Sequence, residues 1–230
     1  MGILESASRF KLKIKDQSEL YLWHYASFLL VGMAAMTTIQ KGDFELLVNR
    51  SNTPALDHFF KHVTNLGDGM ILAIVGIALL FIRYYYTVIL LLISSLHGFF
   101  IFIIKTYFFH GVPRTKVFLQ GVTDLHFVEG VTVHTMNSFP SGHTATIFSL
   151  TLFLALIINR RSWSFILFML ALIVGFSRIY LMQHFFIDVY YGSVVGIIST
   201  LLAVFFTEQF TLLTQNKHLQ GSLLQLNPQP

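Results

Sequence analysis

Residues 163–206 read WSFILFMLALIVGFSRIYLMQHFFIDVYYGSVVGIISTLLAVFF. This is two apolar runs of about 20 residues, each long enough for an α-helix to cross a bilayer. They nearly touch at a short turn near Gln183. The charged residues of the stretch, Arg178 and Asp188, flank that turn, and His184 lies between them. Two adjacent membrane spans with ionisable groups at their shared edge is a costly pattern, and intramembrane ionisable residues usually serve function.

Working outward, four more apolar runs appear, so that the expected spans are Leu20–Ile39, Leu66–Ile82, Thr87–Ile104, Gly142–Ile158, Trp163–Met182 and Phe185–Phe206. The whole composition agrees. Of 230 residues 54% are apolar and 11% charged, against roughly 25% charged in an average soluble domain, and the mean hydropathy is +0.67. A disordered chain is excluded and a soluble globular domain disfavoured. With no cysteine, disulfides, thiolate metal sites and cysteine nucleophiles are excluded as well. A net charge of +4 is too dilute for a nucleic-acid binder. The expected fold class is all-α: a polytopic membrane protein with six transmembrane helices in a bundle. The expected organisation is a cytoplasmic segment 1–19, a membrane domain 20–206 and a cytoplasmic tail 207–230. The tail from Gln220 onward reads as a frayed end.

Lysine and arginine placement gives the direction. With the N-terminus inside, the inner segments carry eight bases (among them Arg9, Lys11, Lys13, Lys15, Arg83, Arg160 and Arg161) against four acids. The outer segments carry seven of each. Basic residues at the start, followed by an apolar run too long for a signal-peptide core, favour a retained first helix. The first outer loop, about residues 40–65, contains Thr53-Pro54, a good helix start. Leu56, Phe59, Phe60 and Val63 then fall at i, i+3, i+4, i+7, one apolar stripe on an interfacial helix or on a lid over the bundle.

In this topology Lys105, the run Pro140-Ser141-Gly142-His143, Ser177-Arg178, His184 and Asp188 all reach the outer interface. His184 and Asp188 are i and i+4, on one helix face. The carboxylate can hold one imidazole nitrogen and leave the other as a nucleophile. Backbone N–H groups of Ser141, Gly142 and His143 at a helix start form an anion site. Arg178, Lys105 and Arg114 can surround a phosphoryl group, whose transition state needs positioning and charge neutralisation, so no metal and no cofactor is expected.

Pro140-Ser141-Gly142-His143 and Ser177-Arg178-x5-His184-x3-Asp188 resemble the second and third motifs of the type 2 phosphatidic acid phosphatase (PAP2) superfamily. The likeness spans about residues 66–206. The first motif, K-x6-R-P, is altered: Lys105 and Pro113 match, Val112 stands at the arginine position, and Arg114 or Lys116 would supply the cation. The resemblance implies that His184 attacks phosphorus, Asp188 orients it, and His143 protonates the leaving oxygen and then activates water. It also implies that Lys105, Arg114, Ser141, Gly142 and Arg178 hold the phosphate. It implies a metal-independent phosphatase acting on a lipid phosphate or diphosphate, among membrane lipids, at the outer face of what reads as a bacterial inner membrane. Undecaprenyl diphosphate, phosphatidylglycerol phosphate, phosphatidic acid and lipid A phosphate all fit. A lipid phosphotransferase using the same site, or a transporter, are the alternatives.

Plainer roles stand beside these. Lys105 could snorkel from a span end, and Arg114 could be an ordinary loop charge. His110, His126 and His134 match no metal-ligand spacing. His97, Ser94 and Ser95 fit helix–helix hydrogen bonds, and Gly192 with Gly196 fits close helix packing.

Overall fold

The computed structural model describes residues 2–210 and 216–225, with side chains from 19 to 210 and 216 to 224. Every expected apolar run forms a helix. In order these are α1 (Gly2–Thr38), α2 (Asp43–Arg50), α3 (Pro54–Val63), α4 (Gly69–Leu80), α5 (Tyr84–Ile103), α6 (Thr115–Phe118), α7 (Gly142–Ile158), α8 (Arg161–Tyr180) and α9 (Phe186–Gln209). A 3-10 turn, Thr64–Gly67, joins α3 to α4, and a π-turn, Ile104–Phe108, ends α5. No strand occurs among the described residues.

The count of six full spans is not confirmed. Among the described residues four helices are long and apolar enough to cross a membrane: Glu19–Thr38, Tyr84–Phe108, Arg161–Tyr180 and Phe186–Gln209. A fifth is reached if Pro54–Gly67 and Gly69–Leu80, bent by 59°, count as one. Helix α4 has 12 residues, about 18 Å at 1.5 Å per residue. It cannot start earlier because Asp68 is extended and its side chain caps Met70 N–H at 2.9 Å. Helix α7 has 17 residues, opened by the Ser141 cap and closed by Asn159 in the left-handed region at φ 52°.

Helix α7 is the centre of the bundle. Every side chain from Thr144 to Phe153 is buried, with α1, α4, α5, α8 and α9 packed around it. Helix α9 approaches most closely, and two glycines permit it. A Cβ on Gly192 would lie 2.5 Å from the Ser141 carbonyl oxygen, and one on Gly196 2.5 Å from that of Ala145. The small-residue pair therefore does set the packing, with backbone against backbone. Hydroxyls join the helices where apolar contact alone gives little specificity: Tyr21 Oη and Thr151 Oγ1 at 2.8 Å, Thr200 Oγ1 to the Ser149 carbonyl at 3.1 Å. His97 reaches Thr146 across helices at 3.5 Å. Ser94 and Ser95 instead bond the Leu90 and Leu91 carbonyls of their own helix, the usual back-bond of a serine within a helix.

Two peripheral expectations are refined. Helix α3 forms as read, with Thr53 Oγ1 accepting Leu56 N–H and proline in the first turn. Its stripe is divided, however. Phe60 is buried against Phe176 and Tyr180, at ring distances of 5.5 and 4.5 Å, while Leu56 and Phe59 stay exposed. The tail is no frayed end over 216–225. The carbonyls of Gly221 and Leu219 accept Tyr84 and Tyr85 N–H at 3.0 and 2.8 Å, satisfying orphan donors of α5. Residues 226–230 lie outside the described part.

Candidate active site

The site lies at the end of the bundle covered by two long loops, residues 39–68 and 104–141. His184 sits in the turn between α8 and α9, its backbone N–H on the Arg178 carbonyl at 3.1 Å, and is 2% exposed. Its Nδ1 faces Asp188 Oδ2 at 3.2 Å. The same carboxylate oxygen accepts Phe185 N–H at 3.0 Å and the Ser138 hydroxyl. A carboxylate so held accepts a hydrogen bond from Nδ1–H, which leaves the lone pair on Nε2. Opposite Nε2, at 3.2 Å, stands Arg114 Nη1. Burial drives the His184 pKa down to about 3; its bond to Asp188 opposes that shift, and the Arg114 guanidinium adds to it. The imidazole is therefore neutral at neutral pH, with its unprotonated nitrogen facing a cation.

Arg114 is the residue that the altered first motif left open, and the chain fixes it firmly. Its Nε donates to the Met136 carbonyl at 2.9 Å, and Nη1 also reaches the Gln183 carbonyl at 3.2 Å. Burial lowers its pKa from the usual guanidinium range. Lys116 turns away instead, its ammonium 5.4 Å from the Phe127 ring. Lys105 comes from the π-turn, an irregular helical segment of the kind often found at functional sites. Its Nζ donates to the carbonyls of Asn137 and Ser138 at 2.6 and 3.3 Å.

Arg178 is buried near the end of α8. One Nη1 proton goes to Thr64 Oγ1 at 2.7 Å, while Nε has no protein partner. An orphaned guanidinium donor in a cationic cup is suited to an anionic oxygen. His143 opens α7. Gly67 packs on it so closely that a Cβ there would lie 3.0 Å from the His143 Cβ and carbonyl oxygen. The charges of Arg114 and Arg178 are felt at both His143 and His184.

Ser141 does not have its backbone N–H free for an anion, contrary to expectation. Its N–H donates to the Asp188 carbonyl at 2.9 Å and is withdrawn from any anion. Its hydroxyl oxygen accepts from Thr144 Oγ1 at 2.8 Å and caps α7. The motif thus pins the start of α7 onto the first turn of α9, and the N–H groups of Gly142 and His143 follow in the first turn of α7. Three contributors have no motif to announce them: Ser138 on Asp188, Thr64 on Arg178 and Gln183 beside Arg114. Each acts through one hydroxyl or amide on a distant partner, which leaves no spacing signal. Among the described residues no cluster of three or more histidines or carboxylates could hold a metal ion. His126 pairs with Asp57 at 2.8 Å.

Comparison with known proteins gives a consistent picture. Residues 85–211 match the model of the PAP2 superfamily. Over 71 residues the chain is 39% identical to the bacitracin transport permease protein BcrC of Bacillus licheniformis. That match covers 31% of this chain and 34% of the relative, so the chain spans about a third of that relative's length. The crystal structure of Aquifex aeolicus LpxE superposes with a TM-score of 0.63 and 29% identity, covering 74% of this chain and 98% of that one. A transmembrane PAP2 type phosphatidylglycerolphosphate phosphatase from Bacillus subtilis gives 0.59 at 20% identity, covering 83% and 97%. The last likeness speaks to the fold alone.

Proposed function

The chain belongs to the PAP2 superfamily and is an integral membrane phosphatase of that family; from that premise we propose that it hydrolyses a lipid phosphate or diphosphate through a phosphohistidine, without a metal. The carrying observation is the arrangement around His184. Nδ1 is held by Asp188 and Nε2 faces Arg114 at 3.2 Å.

In this reading Nε2 attacks phosphorus. The N–P bond forms as the bond from phosphorus to the lipid oxygen breaks, and His143 gives its proton to that leaving oxygen. Asp188 stabilises the charge that develops on the imidazole. His143 then takes a proton from water, whose oxygen attacks phosphorus and breaks the N–P bond. Lys105, Arg114, Arg178 and the N–H of Gly142, with the Ser141 hydroxyl, neutralise the equatorial oxygens. The substrate is lipidic because these groups lie at the ends of apolar helices, at headgroup depth. Undecaprenyl diphosphate, phosphatidylglycerol phosphate, phosphatidic acid and lipid A phosphate remain the candidate classes.

The same reading puts residues 20–206 in a bacterial inner membrane, segments 1–19 and 207–230 in the cytoplasm, and the site on the outer face. The basic residues of the tight inner turns, Arg83 and Arg160-Arg161, support this. The test is phosphate release from a panel of lipid phosphates in EDTA. Release by the purified protein, blocked by vanadate and lost in His184→Ala, is expected. Full activity of that variant would end the assignment. The name of the Bacillus licheniformis relative raises transport as a second reading. Against it, the charged groups gather at one end of the bundle. Flux through proteoliposomes without hydrolysis would favour it.

A further inference from the structure

Glu45 belongs to no motif, yet it is 2% exposed. It sits in the first turn of α2, and among the described ion pairs it has no basic partner. Both of its oxygens accept backbone N–H groups. Oε2 takes that of Gly42 at 3.0 Å. Gly42 is the N-cap of α2, at φ 104°, and a glycine has no side chain with which to cap, so the glutamate three residues on serves the helix start.

Oε1 crosses 141 residues of sequence to accept Phe186 N–H at 2.7 Å. Phe186 is the first residue of α9, and its N-cap, Phe185, offers no acceptor. The helix begins with orphan donors, and two carboxylates divide the first of them. Asp188 takes Phe185 N–H from within the turn, and Glu45 takes Phe186 N–H from the first long loop. The backbone between His184 and Asp188 is thereby held from both sides.

Keeping a carboxylate here is costly. The open-sided pocket beside it is lined mostly by apolar residues, among them Ala35, Met36, Ile39 and Phe44, with Gln40 and Lys41 also on its wall. Burial pushes the Glu45 pKa up, and its backbone hydrogen bonds oppose that shift. A charge retained in such surroundings needs charge-assisted hydrogen bonds and the positive end of a helix to offset its desolvation.

We infer that Glu45 is a positioning residue: its carboxylate ties the first long loop to the start of α9 and holds the His184 turn in the orientation that attack requires. The inference rests on the reading of His184 as nucleophile. Substitution by alanine frees the turn, and a displacement of that kind costs roughly 10- to 100-fold in turnover while KM stays within about twofold. Glutamine keeps one carbonyl oxygen for Phe186 N–H, so Glu45→Gln stays within about threefold of wild type.

The test pairs kinetics of the full-length protein in detergent or nanodiscs with amide hydrogen exchange over residues 183–190. Exchange there should quicken in Glu45→Ala and not in Glu45→Gln, with the remaining helices unchanged. Alanine at wild-type turnover, glutamine as impaired as alanine, or unchanged exchange at 183–190 in alanine would each overturn the inference. If Glu45→Ala does not accumulate, Glu45→Asp replaces it. Aspartate keeps the charge but is too short to reach Phe186, so it should lose turnover, and wild-type turnover would overturn the inference. If the wild type itself released no phosphate from any lipid phosphate, the parent reading would fail, whereas the exchange comparison would still decide whether Glu45 holds the turn.

Discussion

The two long loops cover the same end of the bundle and treat it differently. The second, residues 104–141, delivers side chains to the proposed reacting centre. Lys105 and Arg114 bring charge, and Ser138 bonds the carboxylate that orients His184. The first, residues 39–68, acts on the scaffold behind it. Glu45 holds Phe186 N–H, Thr64 holds Arg178, and Asp57 accepts the Tyr180 hydroxyl at 2.5 Å. Chemistry and support are thus divided between loops, and substitutions in the two should fail differently: by loss of charge or of a direct bond at the proposed centre in one, by loss of stability or of positioning in the other.

The largest effect belongs to the second loop. Removing a guanidinium that stabilises phosphoryl-transfer charge costs on the order of 10³-fold or more. Arg114→Ala should lose turnover on that scale and Lys116→Ala should not, measured as phosphate release at saturating lipid phosphate. Equal losses would erase the distinction between the inward and the outward cation.

Next comes Ser138→Ala. Asp188 keeps Phe185 N–H and His184 but loses a buried hydroxyl donor, a bond to a charged group worth roughly 1.5–3 kcal/mol. If that stabilisation acts in the transition state, turnover falls about 10- to 100-fold. An unchanged kcat would remove Ser138 from the machinery.

The first loop predicts the opposite pattern. Tyr180→Phe removes the bond to Asp57, so the thermal midpoint should fall by roughly 2–4 °C per kcal/mol lost with turnover unaltered. A loss of turnover without a loss of stability would break the comparison.

A separate prediction concerns pH. The His184 pKa is held near 3 in the folded chain, against about 6.5 when unfolded. As pH falls below the unfolded value the unfolded chain takes up the proton first. The stability contributed by the neutral imidazole is therefore full above about pH 6.5 and is lost as pH falls toward 3. The wild-type thermal midpoint should drop between about pH 6 and 4, and less so in His184→Ala. Parallel curves would argue against a buried neutral imidazole.

This division also explains what could be read from sequence. The i, i+4 spacing of His184 and Asp188 put them on one helix face, and Arg178 and His143 stood out through their motifs at span edges. Arg114 was legible beside an altered motif, since proline at 113 marked the place where a cation was missing. Gly192 and Gly196 announced close packing. Glu45, Thr64 and Ser138 were not legible, because a side chain that binds a distant backbone or hydroxyl leaves no period. The exact count of six spans is not confirmed for a related reason. Hydropathy runs on through Leu66-Gly67-Asp68, but the Asp68 cap and the contact of Gly67 with His143 stop α4 short. The tail, polar and loop-like in sequence, docks through its carbonyls, which sequence cannot display.

The central claim is that His184 carries the phosphoryl group. Rapid acid-free quenching with a phosphorus-labelled lipid phosphate, followed by peptide mass spectrometry, tests it most directly. The account predicts an acid-labile phosphoryl group on the His184 imidazole, formed within one turnover and absent from Asp188→Asn in proportion to its lost rate. Label on another residue, or full turnover with none on His184, would contradict it.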